Sequence, residues 1–326
     1  MAAADQIKAL IKSFGEGDDS RFYATAMQIA ASEARSGHTA LADELKKIID
    51  KAKGGKSVAL GIVKSLPLNA SQKELNDLLE LVHPEEKLKQ MVLVPYLEKA
   101  LKRVLDEQKK FEILRSNNLF PRKKLLLIGP PGCGKTMSAR VLASELGLPL
   151  FVIRLDGLIS RYMGESISKL RLIFDAMHQV RAIYLFDEFD SIGTTRNQGN
   201  DVGEIKRILN TFLLQIEKDD SNSLIIAATN LPETLDKALF RRFDDIIQYP
   251  LPSGEDISKL YKRELYHLKK SKKFDFENIA NYSIGLSYAE IHKICEDVTK
   301  DYLVYGTNEV SEEKIISYAK QRKEPF

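Results

Sequence analysis

A chain of 326 residues that is 44% hydrophobic has room for two or three domains and a full core. Its 49 basic and 46 acidic side chains nearly cancel to a net charge of +3, which argues against a dedicated nucleic-acid surface. Two cysteines give neither a disulfide framework nor a metal-ligand spacing, and no signal-peptide core or long apolar run is present, so a cytoplasmic protein is expected.

In chain order, residues 1–53 read as an all-α module. Phe22, Ala26, Ile29, Ala30 and Ala34 share one helical face, Gly37 reads as a stop and Thr39 as the next N-cap. Leu41, Leu45, Ile48 and Ile49 form a second stripe, and Lys53–Ser57 is a Gly-rich joint. Residues 54–83 read as a linker with a helix from Ser71 to Leu81. A long amphipathic helix is expected from Pro84 towards Asn118, kinked or interrupted at Pro95.

Strands then alternate with helices, the signature of a parallel α/β sheet, with strands at 124–128, 150–154, 182–187, 224–229 and 245–249. This α/β domain is bounded at 84–252. Residues 253–326 are helical again, with helices at Gly254–Lys270, Asp275–Asn281, Ser287–Tyr305 and Ser311–Gln321.

The most specific stretch is Gly129-Pro130-Pro131-Gly132-Cys133-Gly134-Lys135-Thr136, between an apolar strand and a helix beginning at Met137. Glycines let the backbone curl so that several N–H groups face one anion, and the following helix adds its free N–H groups and positive dipole end. In that context Lys135 reaches phosphate and the Thr136 hydroxyl ligates Mg²⁺. An ordinary Gly-rich turn is the bland alternative. The run from Ala182 to Asp190 is a buried strand ending in carboxylates: either a solvated acidic turn or, given its place about fifty residues after Lys135, Asp187 for the metal shell and Glu188 for the general base. Leu224–Asn230 ends another strand with a polar group, where Asn230 either orients water or merely starts a turn. Arg241 and Arg242 are either surface ion pairs or arginine fingers for a neighbour's phosphate. Tyr162, Met163 and Gly164 either pack on the next helix or project into a channel.

Together these residues resemble the AAA+ ATPases, and within them the classical clade of katanin, spastin and related protein remodellers. The resemblance covers residues 90–326. Gly129–Thr136 looks like Walker A, Phe186–Glu188 like Walker B, Asn230 like sensor 1, and Arg241–Arg242 like the arginine fingers. Tyr162–Gly164 resembles the pore loop that grips substrate, and Arg196–Gly203 the second pore loop. Gly285–Ile291 resembles the segment that closes over nucleotide, with Ser287 and Tyr288 in the cofactor pocket; Tyr288-Ala289 stands where Gly-Ala is usual.

The resemblance implies a P-loop NTPase sheet of order 5-1-4-3-2, a C-terminal helical lid, ATP and Mg²⁺ as cofactors, and a ring, usually of six copies, that threads or disassembles a protein substrate. The N-terminal helices would recruit a substrate, an adaptor or an effector such as a protease, unless they are only a structural cap. The rival functions are an ATP-controlled assembly switch with slow hydrolysis and a DNA-acting member of the wider superfamily.

Overall fold

Three uninterrupted apolar runs become the middle of one sheet. Residues of Leu125–Leu127, Ile183–Phe186 and Leu224–Ala228 have no exposed surface, because strands covered on both faces need no polar alternation. The computed structural model describes residues 19–35, 38, 41–47, 49, 70–158, 165–192, 201–235, 237–271, 274–306 and 309–323. They belong to two compact units, Met1–Leu68 and Asn69–Phe326.

In the first unit the helix Asp19–Arg35 buries Thr25 and Ala30, with Phe22, Ala26 and Ile29 half-buried. Ala34, expected on that face, is exposed. Residues 41–47 are helical; Ala42 and Ile49 are buried, but Leu41 of the expected stripe is 46% exposed. Gly37, Thr39, Ile48 and Lys53–Ser57 lie outside the described residues.

In the second unit, α1 (Ala70–Leu78) passes straight into β1 (Leu79–Val82), in place of the single helix expected over 71–81. Tertiary pairing overrides helical propensity here: β1 runs antiparallel to the later strand at Leu150, with Leu79 opposite Ile153 and Val82 opposite Leu150. Pro95 does not kink a helix but begins one, α2 (Pro95–Lys109). At the first helical position its missing N–H is no loss, and Val94 before it is extended at ψ 148°. The long helix expected over 84–118 is therefore replaced by a 3-10 turn at Leu88–Gln90, then α2, then α3 (Phe111–Ser116).

The α/β core follows: β2 (Lys124–Ile128), α4 (Lys135–Leu146), β3 (Leu150–Ile153), α5 (Leu155–Leu158), α6 (Glu165–Gln179), β4 (Ile183–Phe186), α7 (Asp201–Lys218), β5 (Leu224–Thr229), α8 (Lys237–Phe240) and β6 (Asp245–Gln248). The sheet order is β1-β3-β4-β5-β2-β6. The last five strands are parallel and stand in the expected order; β1 adds an antiparallel edge that sequence reading missed. Leu101, Val104, Leu142 and Ala143 of α2 and α4 cover one face; Phe174, Phe186, Phe189 and Phe212 interlock at the other, with Phe189 and Phe212 centroids 4.7 Å apart.

The C-terminal helices α9 (Gly254–Glu264), α10 (Phe276–Ser283), α11 (Tyr288–Val304) and α12 (Glu312–Lys323) enclose their own core around Ile257, Tyr261, Ile279, Ile291, Ile294 and Ile315. Ser253 with Asp256, and Ser287 with Glu290, form capping boxes that fix the starts of α9 and α11. The helix expected to continue to Lys270 ends at Glu264; Leu265 turns out of it while staying buried, and Lys270 bridges to Val310. Among the described residues no helix is long and apolar enough to cross a membrane.

The amino ends of the strands are closed by ion pairs. Lys123 Nζ lies 2.7 Å from Asp219 Oδ2 and donates to the carbonyls of Asp219 and Ser221. Asp244 Oδ2 accepts the backbone N–H groups of Lys123 and Lys124, and Arg122 pairs with both Glu107 and Asp245.

Candidate functional site

At the opposite, carboxyl ends of the strands, β2 runs into the glycine-rich loop and the loop into α4. Gly129 has φ +149°, and a Cβ there would lie 2.1 Å from the Tyr249 carbonyl oxygen, so glycine is required for the loop to pass β6. At Gly132, φ is +73°, and a Cβ would lie 2.6 Å from Ser287 Oγ. Gly134 is the N-cap of α4, left-handed at φ 95°. Pro130 is half-buried, Pro131 is exposed, and Met137 is half-buried in the first turn of α4.

Lys135 is 6% exposed, and its ammonium donates to Gly129 O at 2.7 Å, Pro130 O at 2.8 Å and Asn230 Oδ1 at 2.7 Å. All three acceptors are neutral oxygens. Burial pushes its pKa down, while Cys133, Asp187 and Asp190 act in the other direction. The Cys133 thiol, itself buried, is pushed up by desolvation in spite of Lys135. A buried cation at the start of a helix, beside a glycine turn, is an arrangement suited to an anion.

Thr136 Oγ1 donates to Asp187 Oδ2 at 2.7 Å, so strand β4 and helix α4 bring together the hydroxyl and carboxylate singled out from sequence. The other carboxylate oxygen of Asp187 accepts the backbone N–H of Glu188 at 3.0 Å. Glu188 is exposed and stands in the left-handed region at φ +50°, a conformation that costs about 1–3 kcal/mol for a side chain of its type. Asn230, at the end of β5, meets Lys135 through its side chain. Loop lysine, hydroxyl, carboxylate and strand-end asparagine thus converge.

The helical region reaches the loop directly. Ala289 N–H donates to Gly132 O at 3.1 Å, while Ser287 Oγ is engaged with Glu290. Tyr288 is half-buried, and burial raises its phenol pKa. Ala289 lies in the segment expected to close over nucleotide, and three further neighbours are not assigned to the site from sequence. A Cβ at Gly134 would lie 3.3 Å from Met91 Cε. Tyr249 packs against Gly129 with its buried hydroxyl lacking a hydrogen-bond partner among the described residues. Asp190, inside the carboxylate run, accepts from the end of β5. Only Asp190 carried a signal, its place in that run.

The two arginines differ. Arg241 is exposed, whereas Arg242 donates to Glu217 Oε2 at 3.1 Å and Ala238 O at 2.8 Å within its own chain. Tyr162, Met163 and Gly164 lie outside the described residues, as do residues 196–200 of the polar stretch before α7.

Residues 125–251 match the model of the ATPase family associated with various cellular activities, AAA. An uncharacterized AAA family ATPase of Sinorhizobium fredii, y4kL, is 33% identical over 313 residues, covering 96% of this chain and 93% of that protein. The A-like 1 form of the katanin p60 ATPase-containing protein of Rattus norvegicus is 33% identical over 211 residues, which are 62% of this chain and 43% of the katanin protein. The human protein of that name matches over the same length and identity. The chain therefore spans less than half the length of these katanin relatives. The crystal structure of the FIGL-1 AAA domain shares the fold, with a TM-score of 0.62 at 23% identity, over 79% of this chain and 90% of that one.

Proposed function

As this chain belongs to the AAA family of ATPases, we propose that it is a Mg²⁺-dependent ATP hydrolase that works in a ring of about six copies and remodels a protein substrate. The observation that carries this reading is the convergence of Lys135, Asn230, Thr136 and Asp187 on one glycine loop. The residues fit the implied cation. A hydroxyl and a carboxylate oxygen at 2.7 Å are hard donors. A cation held here would share its shell with water and substrate oxygens, the habit of Mg²⁺. When bound, Mg²⁺ neutralises charge on the triphosphate.

In this reading Lys135 binds phosphate oxygens, and Glu188, exposed beside Asp187, takes the proton of the attacking water. Asn230 orients that water. Gly129–Met137 with Ser287 and Tyr288 enclose the nucleotide. Arg241 and Arg242 act on the triphosphate of a neighbouring copy, Tyr162 and Met163 grip the substrate beside Gly164, and the N-terminal helices recruit it. Two unpaired cysteines fit a cytoplasmic setting.

The test is ATP turnover combined with sedimentation. Turnover per chain is expected to rise with protein concentration, and Arg241→Ala mixed with Lys135→Ala is expected to recover activity that neither has alone. Turnover that is independent of dilution in a lone particle would remove the ring. Slow hydrolysis with nucleotide-dependent assembly, unaffected by any protein substrate, would favour the switch.

A further inference from the structure

We propose that Asp190 is a positioning residue that ties the turn carrying Glu188 to the end of β5, so that Glu188 and Asn230 are set as one unit. This rests on the ATPase reading above. After β4 the chain turns at Asp187 and Glu188 and enters a 3-10 turn, Phe189–Ile192. Phe189 has no exposed surface and packs edge-on against Phe186 and tilted against Phe212, which anchors one side of that turn in the apolar core. Asp190, the next residue, anchors the other side by polar contacts.

A single oxygen, Asp190 Oδ1, accepts from Thr229 Oγ1 at 2.9 Å and from the backbone N–H of Asn230 at 3.1 Å. Thr229 is fully buried, and its hydroxyl oxygen accepts in turn from Leu231 N–H at 3.1 Å. The backbone of Asn230 is thus held by Asp190, and its side-chain oxygen takes the Lys135 ammonium. Glu188 lies between Asp187 and the doubly anchored Phe189-Asp190 pair, in a left-handed conformation that a free turn would relax. One carboxylate therefore sets the origin of both groups that flank the reacting phosphate in the proposed reaction. An error of about 1 Å in such a position costs on the order of a hundredfold in rate.

The test compares Asp190→Ala, Asp190→Asn and Thr229→Val by steady-state kinetics, ATP affinity and amide exchange in nucleotide-free protein. Asp190→Ala is expected to lower kcat by about ten- to a hundredfold while the ATP dissociation constant moves less than about threefold, because the Lys135 ammonium keeps its bonds to Gly129 O and Pro130 O within the loop. Asp190→Asn keeps an oxygen acceptor and is expected to return kcat to within about threefold of the parent. Thr229→Val, which removes one of the two bonds, is expected to fall between them. Exchange at the Asn230 amide is expected to accelerate in Asp190→Ala and not in Asp190→Asn.

Equal losses in the alanine and asparagine variants, or a loss in affinity alone, would overturn the tie. If Asp190→Ala does not fold, Thr229→Val decides, and an unchanged kcat there would overturn it. Parent protein without ATP turnover would instead remove the ATPase reading, and exchange at Asn230 would still decide whether Asp190 holds the strand end.

Discussion

The two ends of the sheet treat charge differently. At the amino ends Lys123 pairs with Asp219 and Arg122 with Glu107 and Asp245, while Asp244 takes two backbone donors. The open cleft of about 730 Å³ there is lined by Glu107, Arg122, Lys123, Asp219 and Asp244 beside Phe111. At the carboxyl ends, Lys135 is buried on neutral oxygens, Glu188 is held in a strained conformation, and three loop glycines pass other backbone too closely for any side chain or adopt left-handed angles. One end is closed by ion pairs, and the other holds a buried cation among neutral acceptors.

The largest expected effect falls at the strained end. Glu188→Gln should lower ATP turnover by about 10²- to 10⁴-fold while leaving nucleotide affinity nearly unchanged, measured by phosphate release and by fluorescent-nucleotide titration. Normal turnover would erase the contrast, because Glu188 would then be an ordinary exposed acid. Lys135→Ala should weaken ATP binding by roughly a hundredfold, the worth of about two charge-assisted hydrogen bonds. Calorimetric titration reads this directly, and unaltered affinity would mean the loop's backbone does the binding unaided.

The paired end should respond in stability instead. Lys123→Met leaves the fully buried carboxylate of Asp219 without its ammonium, and about 3–5 kcal/mol should be lost in urea unfolding. ATP affinity of the folded variant should stay within a factor of about two. A large change in affinity with little change in stability would reverse the assignment of the two ends.

The smallest effect is a pH dependence at Glu107. Burial pushes its carboxyl upward, but the Arg122 backbone N–H and the Arg103 and Arg122 guanidinium groups outweigh that and hold it below its ordinary range. A carboxylate more acidic when folded adds stability above its unfolded pKa, and that stability is lost as pH falls through the folded value. Glu107→Gln should therefore flatten the slope of stability against pH below about pH 4.5, visible in unfolding curves taken from pH 5 to 3. An unaltered slope would mean the pair with Arg122 does little in solution.

What the sequence disclosed was chemistry that repeats in a fixed order. The glycine loop, the carboxylate-ended strand, the asparagine strand end and the parallel sheet are all visible as local patterns in the chain. What it hid was decided by tertiary partners. Leu79–Val82 is four residues long and reads as the tail of a helix; only the edge of β3 makes it a strand. From sequence Pro95 is expected to kink or interrupt a helix, and the extended backbone of Val94 makes it a start instead. Arg242 is equivalent to Arg241 in sequence, and only Glu217, 25 positions earlier, sets it apart. Asp190 is one acid among several, and its distinction lies in meeting Thr229, 39 residues away.

The bond from Ala289 N–H to Gly132 O also has a mechanical side. It makes the first turn of α11 rest on the loop like a latch with a single pin, and a peptide bond of this kind contributes only about 1 kcal/mol net. So light a fastening can open by thermal motion, yet α11 is a rod of 17 residues, about 25 Å long. At the rod's far tip Leu303, Val304 and Tyr305 stand bare to solvent.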